Sequence, residues 1–279
     1  MRTLLLQSFR WIWKEQSRGK HVEKKEDIAL LVDDVSVNYQ RDNVLWNINF
    51  SLPKASMTAL IGPNGAGKTS LMHAIMGIVK PLCGTISIFG KPLSQNKKNI
   101  AFVPQKEAVD WNFPISVLDV VLMGRYHFLG FIKWFSKKDK KEALELLEQL
   151  DMLKHAYKPI AELSGGQQKR VFIARALLQK ADIMLFDEPF AGIDQTTEMA
   201  LLEWMQTLKK QGMTLLVVHH DILSVKNYFP RTLLLNRVLI GSGPTSKVLT
   251  AENLEKAYGA KGHLLEEVIA LSSKKMQGF

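Results

Sequence analysis

The sequence predicts an α/β protein with a mostly parallel core sheet, an antiparallel β subdomain and an inserted helical subdomain. Three observations carry that expectation. A short apolar run, Met57 to Ile61, passes through a glycine-rich loop into a helix-like run, Ser70 to Ile78. Two further apolar runs, Ile183 to Phe186 and Thr214 to Val218, flank a helical pattern over Thr196 to Lys210. Apolar strands alternating with helices fit a parallel sheet covered on both faces. Ahead of the loop, by contrast, apolar residues alternate with polar ones, as in half-buried antiparallel strands.

The chain is expected to divide into an N-terminal extension (1–27), a main domain (28–245) with a helical subdomain at about 106–165, and a C-terminal helical tail (246–279). In the extension, Leu5, Phe9, Ile12 and Trp13 share one helical face with Arg2, Arg10 and Lys14 around them. A membrane-surface helix, a helix packed on the domain and a frayed extension from an early start codon all fit. A cleaved signal peptide fits less well, because no small-residue cleavage site follows. A polar linker, Gln16 to Asp27, leads into the domain.

From Ile28 onward, Val35, Val37 and Tyr39 share one strand face, and Ile48, Phe50 and Leu52 another, with Asp42-Asn43 expected at the turn. The helix after the glycine-rich loop should end near Gly77, ahead of Pro81. Strands are expected at Thr85 to Phe89, between two glycines, and at Ile100 to Val103, stopped by Pro104. Ser116 with Asp119, and Ser136 with Asp139, have N-cap spacing for the helices behind them, Val117 to Met123 and Glu142 to Leu150. Leu233 to Ile240, centred on Asn236-Arg237, reads as a terminal hairpin.

Bulk composition narrows the function classes. The 279 residues, 46% hydrophobic and 23% charged, suffice for one large globular domain with appendages or two small ones. A single cysteine, Cys83, excludes a disulfide framework and a Cys-based zinc site. No apolar run approaches the ~20 residues that span a bilayer. The formal net charge of +10 comes from scattered lysines with small clusters at Lys97-Lys98 and Lys137 to Lys141, without interleaved aromatics. That pattern favours solvated surface over a base-stacking nucleic-acid groove.

Gly62-Pro63-Asn64-Gly65-Ala66-Gly67-Lys68-Thr69 fills every fixed position of G-x-x-x-x-G-K-[ST] between a strand and a helix, the context that a phosphate-binding loop requires. Glycines let successive N–H groups turn around an anion, and the helix that follows, from Ser70, presents its positive end. Lys68 would reach the β- and γ-phosphates and the Thr69 hydroxyl would ligate Mg²⁺. A turn that binds nothing would not need all of these residues. Nucleoside triphosphate binding is therefore expected.

Ile183 to Phe186 ends in two acids, Asp187 and Glu188. Adjacent carboxylates closing a buried strand are costly unless a cation or a water network accepts them. Mg²⁺ beside the phosphates would do so, with Asp187 reaching the ion through its water shell and Glu188 polarising the attacking water. Between the two motifs, Leu163-Ser164-Gly165-Gly166-Gln167-Gln168-Lys169-Arg170 reads as a Ser-capped, anion-favouring entry to a helix. Two glycines and two glutamines exceed what a plain cap needs.

With these motifs in this order, the chain resembles the nucleotide-binding subunits of ABC transporters from about Ile28 through the hairpin. The resemblance implies that Tyr39 stacks on adenine, although as a strand residue it could equally serve the core. It further implies that Gln105 joins Mg²⁺ to the membrane-domain contact and that Leu163 to Gln168 is the family signature. Ala191-Gly192-Ile193-Asp194 corresponds to the loop at the dimer interface, with Ala191-Gly192 a variant of its usual opening. His220, directly before Asp221, corresponds to the switch histidine that senses the γ-phosphate, with His219 as the alternate.

The implied nucleotide-binding set is Tyr39, Gly62, Pro63, Asn64, Gly65, Ala66, Gly67, Lys68, Thr69, Ser70, Gln105, Ser164, Gly165, Gly166 and Gln167. Glu188 and His220 would be catalytic, and Thr69, Gln105 and Asp187 would hold the Mg²⁺ of MgATP. The implied cofactors are ATP and Mg²⁺. Two copies would sandwich two nucleotides head to tail, the phosphate loop of each facing Ser164, Gly165 and Gly166 of the other. The homodimer would act at the cytoplasmic face of the inner membrane, peripherally, on integral membrane permease subunits and indirectly with a solute-binding protein.

The stretch from Phe102 to Tyr126, with Asp110-Trp111-Asn112-Phe113-Pro114 at its centre, looks like the manganese, zinc and iron importer branch. Val218 to Asp221 and Glu252 to Gly259 look the same. Importers for siderophore, haem or cobalamin usually lack the Asp-Trp-x-Phe-Pro element. Departures are the N-terminal extension and the segment Phe128 to Lys141, whose Phe131, Trp134 and Phe135 could contact the membrane subunit or pack within the helical subdomain. A non-transport ATPase of this type acting on nucleic acid would usually carry tandem domains or a long coiled coil, and neither is present.

Overall fold

A computed structural model of the protein describes residues 28–39, 42–105, 113–128 and 134–259. The N-terminal extension, the Val109 to Asn112 part of the metal-branch segment, Phe131 and the tail beyond Gly259 lie outside the described residues. Two compact units emerge: residues 98–207 form one, and residues 28–97 with 208–259 form the other.

The second of these begins with a long antiparallel pair, β1 (Ile28–Tyr39) and β2 (Asp42–Pro53). Leu30 pairs with Leu52, Val32 with Phe50 and Val35 with Ile48, and these six residues are buried together. Asp42 and Asn43 are strand residues, facing Tyr39 and Asn38, and not the expected turn. The ladder continues past the last apolar pair, Val37 with Leu45, and so takes both residues into β2. β3 (Met57–Ile61) follows, buried at every position, then α1 (Lys68–Met76), β4 (Cys83–Ile88), β5 (Lys91–Pro92) and α2 (Leu93–Asn96). α1 begins at Lys68, ahead of the expected Ser70, and stops at Gly77 in the left-handed region. β4 lies beside β1 in an antiparallel pair.

The unit spanning 98–207 contains β6 (Ile100–Val103), α3 (Val117–Leu122), α4 (Lys137–Gln149), α5 (Gly165–Leu178), β7 (Ile183–Phe186) and most of α6 (Gln195–Lys210). β6 and β7 are parallel, with Val103 opposite Phe186. Both expected cap pairs form: Ser116 Oγ accepts from the Asp119 N–H and Ser136 Oγ from the Asp139 N–H, each at 3.1 Å. Arg125 pairs with Asp139 and Glu142, and Lys180 with Glu142 at 2.9 Å, which ties the start of α4 to the end of α5. The Phe135 ring packs against Tyr126, while Trp134 is 94% exposed.

The chain then re-enters the unit that holds β1 to β5 through β8 (Thr214–Val218), α7 (Ile222–Tyr228), β9 (Arg231–Asn236), β10 (Val238–Pro244), α8 (Thr245–Val248) and α9 (Ala251–Tyr258). β3 is parallel to both β8 and β9, and β9 and β10 form the expected hairpin, longer than its apolar centre suggests. Continuous apolar strands between parallel neighbours form the core that positions the glycine-rich loop. No helix among the described residues is long and apolar enough to cross a membrane.

Candidate nucleotide site

The loop 62–69 leaves the end of β3 and enters α1, and its shape depends on two different uses of glycine. Gly65 has φ 77° with nothing near a would-be Cβ, so it is there for conformation. Gly67 combines φ 93° with a Leu45 side-chain carbon 2.5 Å from where its Cβ would be, so a side chain would also clash. The Ala66 N–H donates to the Pro63 carbonyl at 3.1 Å, which closes the turn. α1 has no side-chain cap, so the N–H groups of its first turn are not taken up by one.

Lys68 is 7% exposed, and its Nζ donates to the carbonyls of Gly62 at 2.8 Å and Pro63 at 3.0 Å. The ammonium is therefore held by two carbonyls of its own loop. Asn64 and Thr69 are exposed, which leaves the Thr69 hydroxyl open to a ligand.

β8 runs beside β3, and the two expected histidines follow its last residue. The His219 N–H donates to the Leu60 carbonyl at 3.1 Å, continuing the ladder by one residue. His219 is 4% exposed, edge-on to Phe229, and its Nδ1 accepts from the Asp221 N–H at 3.0 Å. Burial pushes its pKa down to about 4, so the ring is neutral at physiological pH. His220, by contrast, is exposed. Asp221 caps α7 by accepting from the N–H groups of Leu223 and Ser224.

In the other unit, parallel pairing brings the ends of β6 and β7 together. The Asp187 N–H donates to the Val103 carbonyl at 3.0 Å, and two residues past β6 the Gln105 amide donates to Glu188 Oε2 at 2.9 Å. Asp187 is buried, as expected for a carboxylate closing a core strand. Glu188 has φ 49°, in the left-handed region, which for a side-chain-bearing residue costs about 1–2 kcal/mol. That turn swings Glu188 out of the strand direction.

The signature segment folds as a capping box. Gln167 Oε1 accepts from the Ser164 N–H at 2.9 Å while Ser164 Oγ accepts from the Gln167 N–H at 3.4 Å. Gln168 is buried and donates to the Ile160 carbonyl at 3.3 Å. Both glutamines therefore have local structural work, which the sequence pattern did not suggest. Ser164 and Gly166 stay exposed at the helix start, and nothing lies within 4 Å of a Cβ built on Gly166.

Two further contacts were not read from the sequence, although their residues lie in segments it singled out. Lys169 donates to the carbonyls of Pro189 and Ala191, tying the signature helix to the loop after Glu188. Asp194 caps α6, accepting from the Thr197 N–H at 3.0 Å and hydroxyl at 2.7 Å, and the Thr197 hydroxyl bond lowers its pKa. The Asp-x-x-Thr spacing was a usable signal for the second, whereas nothing local marks the first. The Tyr39 side chain lies outside the described residues.

A strand-anchored phosphate loop, a paired strand-end carboxylate and a capped Ser-Gly-Gly helix start form one set of parts. The sequence matches the ABC transporter family over residues 45–191. The chain belongs to the ABC transporter family. It is an ATP-binding cassette, the ATP-hydrolysing part of such transporters. Over 233 residues it is 47% identical to the zinc transport system ATP-binding protein TroB of Treponema pallidum, covering 84% of this chain and 88% of that protein. Over 244 residues it is 45% identical to the manganese transport system ATP-binding protein MntB of Bacillus subtilis, covering 88% of this chain and 98% of that one. Among solved structures, a metal-chelate type ABC transporter in an inward-facing conformation superposes with a TM-score of 0.73 at 32% identity, over 83% of this chain and 89% of that one.

The Thr69 hydroxyl in one unit, and the Gln105 amide and Asp187 carboxylate in the other, each carry an oxygen of the hard type that Mg²⁺ takes.

Proposed function

We propose that this cassette powers uptake of a transition metal ion, manganese, zinc or iron, through partner membrane permease subunits. The hydrolytic part rests on one observation above others: Glu188, the carboxylate at the end of β7, is held by Gln105 and turned out of the strand. The cargo part rests on kinship with subunits named for zinc and manganese transport.

In this reading, residues 28–245 are the ATPase domain, with a helical subdomain at about 106–165 and a helical tail at 246–279. Tyr39 stacks on adenine, and Gly62 to Ser70 enclose the phosphates through backbone N–H groups. The Lys68 ammonium exchanges loop carbonyls for β- and γ-phosphate oxygens. Thr69, Gln105 and Asp187 hold Mg²⁺, which when bound neutralises charge on those oxygens. The Glu188 carboxylate orients the attacking water and accepts its proton, and exposed His220 donates to the γ-phosphate. Ser164, Gly165, Gly166 and Gln167 face the nucleotide held by a second copy. ATP therefore favours a closed homodimer, and hydrolysis reopens it. The dimer works peripherally on the cytoplasmic side of the cell membrane, with exposed Trp134 offered to the permease and a solute-binding protein delivering cargo to it. No nucleic acid takes part.

The test is Glu188→Gln in the host under metal limitation, with elemental analysis of cell manganese, zinc and iron. A fall in one of these, reversed by adding that metal, names the cargo. Unchanged levels of all three, with the variant present at the membrane, would sink the free-ion reading. A second reading, a chelated or organic metal cargo such as siderophore, haem or cobalamin, would then lead, because the structural relative at 32% identity is of metal-chelate type.

A further inference from the structure

The three residues Leu235 to Arg237, where β9 turns into β10, lie against the phosphate loop at both of its ends. The Leu235 carbonyl oxygen sits 2.0 Å from where a Cβ on Gly62 would be, so strand and loop backbones touch directly there. The Arg237 N–H donates to the Ala66 carbonyl at 2.9 Å, and the Arg237 carbonyl accepts from the Trp46 N–H at 2.8 Å. The middle one of the three also holds α9: Asn236 Nδ2 donates to the Ala257 carbonyl at 3.1 Å. One residue further on, the half-buried Tyr258 hydroxyl lies beside the Gly62 backbone, which moderates the rise in its pKa.

α9 is built to be held in place. Thr250 caps its start by accepting from the Asn253 N–H, and Leu254 and Ala257 are buried. Burial also pushes the Tyr258 phenol up to about 12, so it remains a neutral hydroxyl at any working pH.

We infer that Asn236 and Tyr258 are positioning residues for the phosphate loop, so that the seating of the C-terminal helix α9 sets the affinity of the loop for ATP. The inference rests on the loop being the ATP site. Asn236 holds the end of α9 while its neighbours Leu235 and Arg237 bear on Gly62 and Ala66, and Gly62 supplies a carbonyl to Lys68, so loosening α9 disturbs the peptide groups that hold the lysine in place. ATP binding in turn stabilises the seated helix, by reciprocity of coupled sites. Nothing in the hydrolytic machinery at Glu188 is touched.

The test uses the full chain and its Tyr258→Phe and Asn236→Ala variants. ATP turnover gives KM and kcat, calorimetry gives ATP affinity, and thermal unfolding without nucleotide gives stability. The expected result is a KM and Kd for ATP raised about three- to tenfold, the loss of one hydrogen bond. For Tyr258→Phe, kcat should stay within about twofold and unfolding should be unchanged. An unchanged KM in both variants, or a lowered melting temperature with unchanged KM, would overturn the inference while leaving the ATP reading intact. Failure of the unaltered protein to bind ATP would overturn both.

Discussion

Gln105 donates from its side-chain amide to the Glu188 carboxylate at 2.9 Å across 83 residues of sequence. The bond extends the parallel ladder in which Val103 faces Phe186 and the Asp187 N–H reaches the Val103 carbonyl. It fixes the direction of one Glu188 oxygen. Replacing Glu188 with Gln keeps the size but removes the proton acceptor. Turnover should fall by about 10²–10⁴-fold with ATP binding retained. Size-exclusion chromatography with ATP should then show a dimer; an ATP-loaded monomer would count against the sandwich mechanism. Gln105→Ala should lower kcat by roughly tenfold, as expected for loss of one orienting bond.

Lys68 crosses the loop with bonds to two carbonyls. Lys68→Met keeps the stem and removes the ammonium. Affinity for ATP should drop by about a hundredfold or more, since charge-assisted bonds contribute about 1.5–3 kcal/mol each. A calorimetric titration that still showed tight ATP binding would place the phosphates elsewhere.

Ser164 caps α5 and, in the proposed dimer, faces the nucleotide of the partner; a pair of substitutions separates the two roles. Ser164→Ala removes the cap of α5 and should cost ~1 kcal/mol of stability, read by denaturant unfolding. Ser164→Asp caps equally well and suits a helix N-terminus, so stability should hold. Its carboxylate would oppose the phosphate of the partner's nucleotide, and ATP turnover should collapse. Full activity in the Asp variant would remove Ser164 from the nucleotide site.

His219 makes stability depend on pH. Its folded pKa, about 4, lies below the ordinary value of 6.5, so between these the unfolded chain binds the extra proton. The stabilisation is complete above pH ~6.5 and is lost as pH falls toward ~4, amounting to about 3 kcal/mol. Urea unfolding at pH 7.5 and 5.0 should show the decline, and His219→Gln should flatten it.

Much of the fold is legible because buried parallel strands leave a plain mark. Met57–Ile61, Ile100–Val103, Ile183–Phe186 and Thr214–Val218 are continuous apolar runs closed by Gly, Pro, Asp or His, and each strand ends where its run ends. The capped helices at Ser116, Ser136 and Ser164 are equally plain, because a cap is a bond over three residues. The first hairpin is less so. Asp42-Asn43 has turn composition, yet cross-strand pairing draws both residues into β2, since side-chain contacts along a ladder outweigh a local turn preference.

By itself the sequence determined the phosphate loop, the strand-end carboxylates, the capped signature helix and hence the family, all of them features written within eight or so consecutive residues. Tertiary structure alone decided which groups meet. It paired Gln105 with Glu188, sent Lys169 to the carbonyls of Pro189 and Ala191, buried His219 while leaving His220 exposed, and pressed Leu235 and Tyr258 against Gly62. The physical reason is range. Periodicity, caps and loop glycines act between near neighbours, whereas these contacts depend on strand register and close packing, which exist only once the sheet has formed.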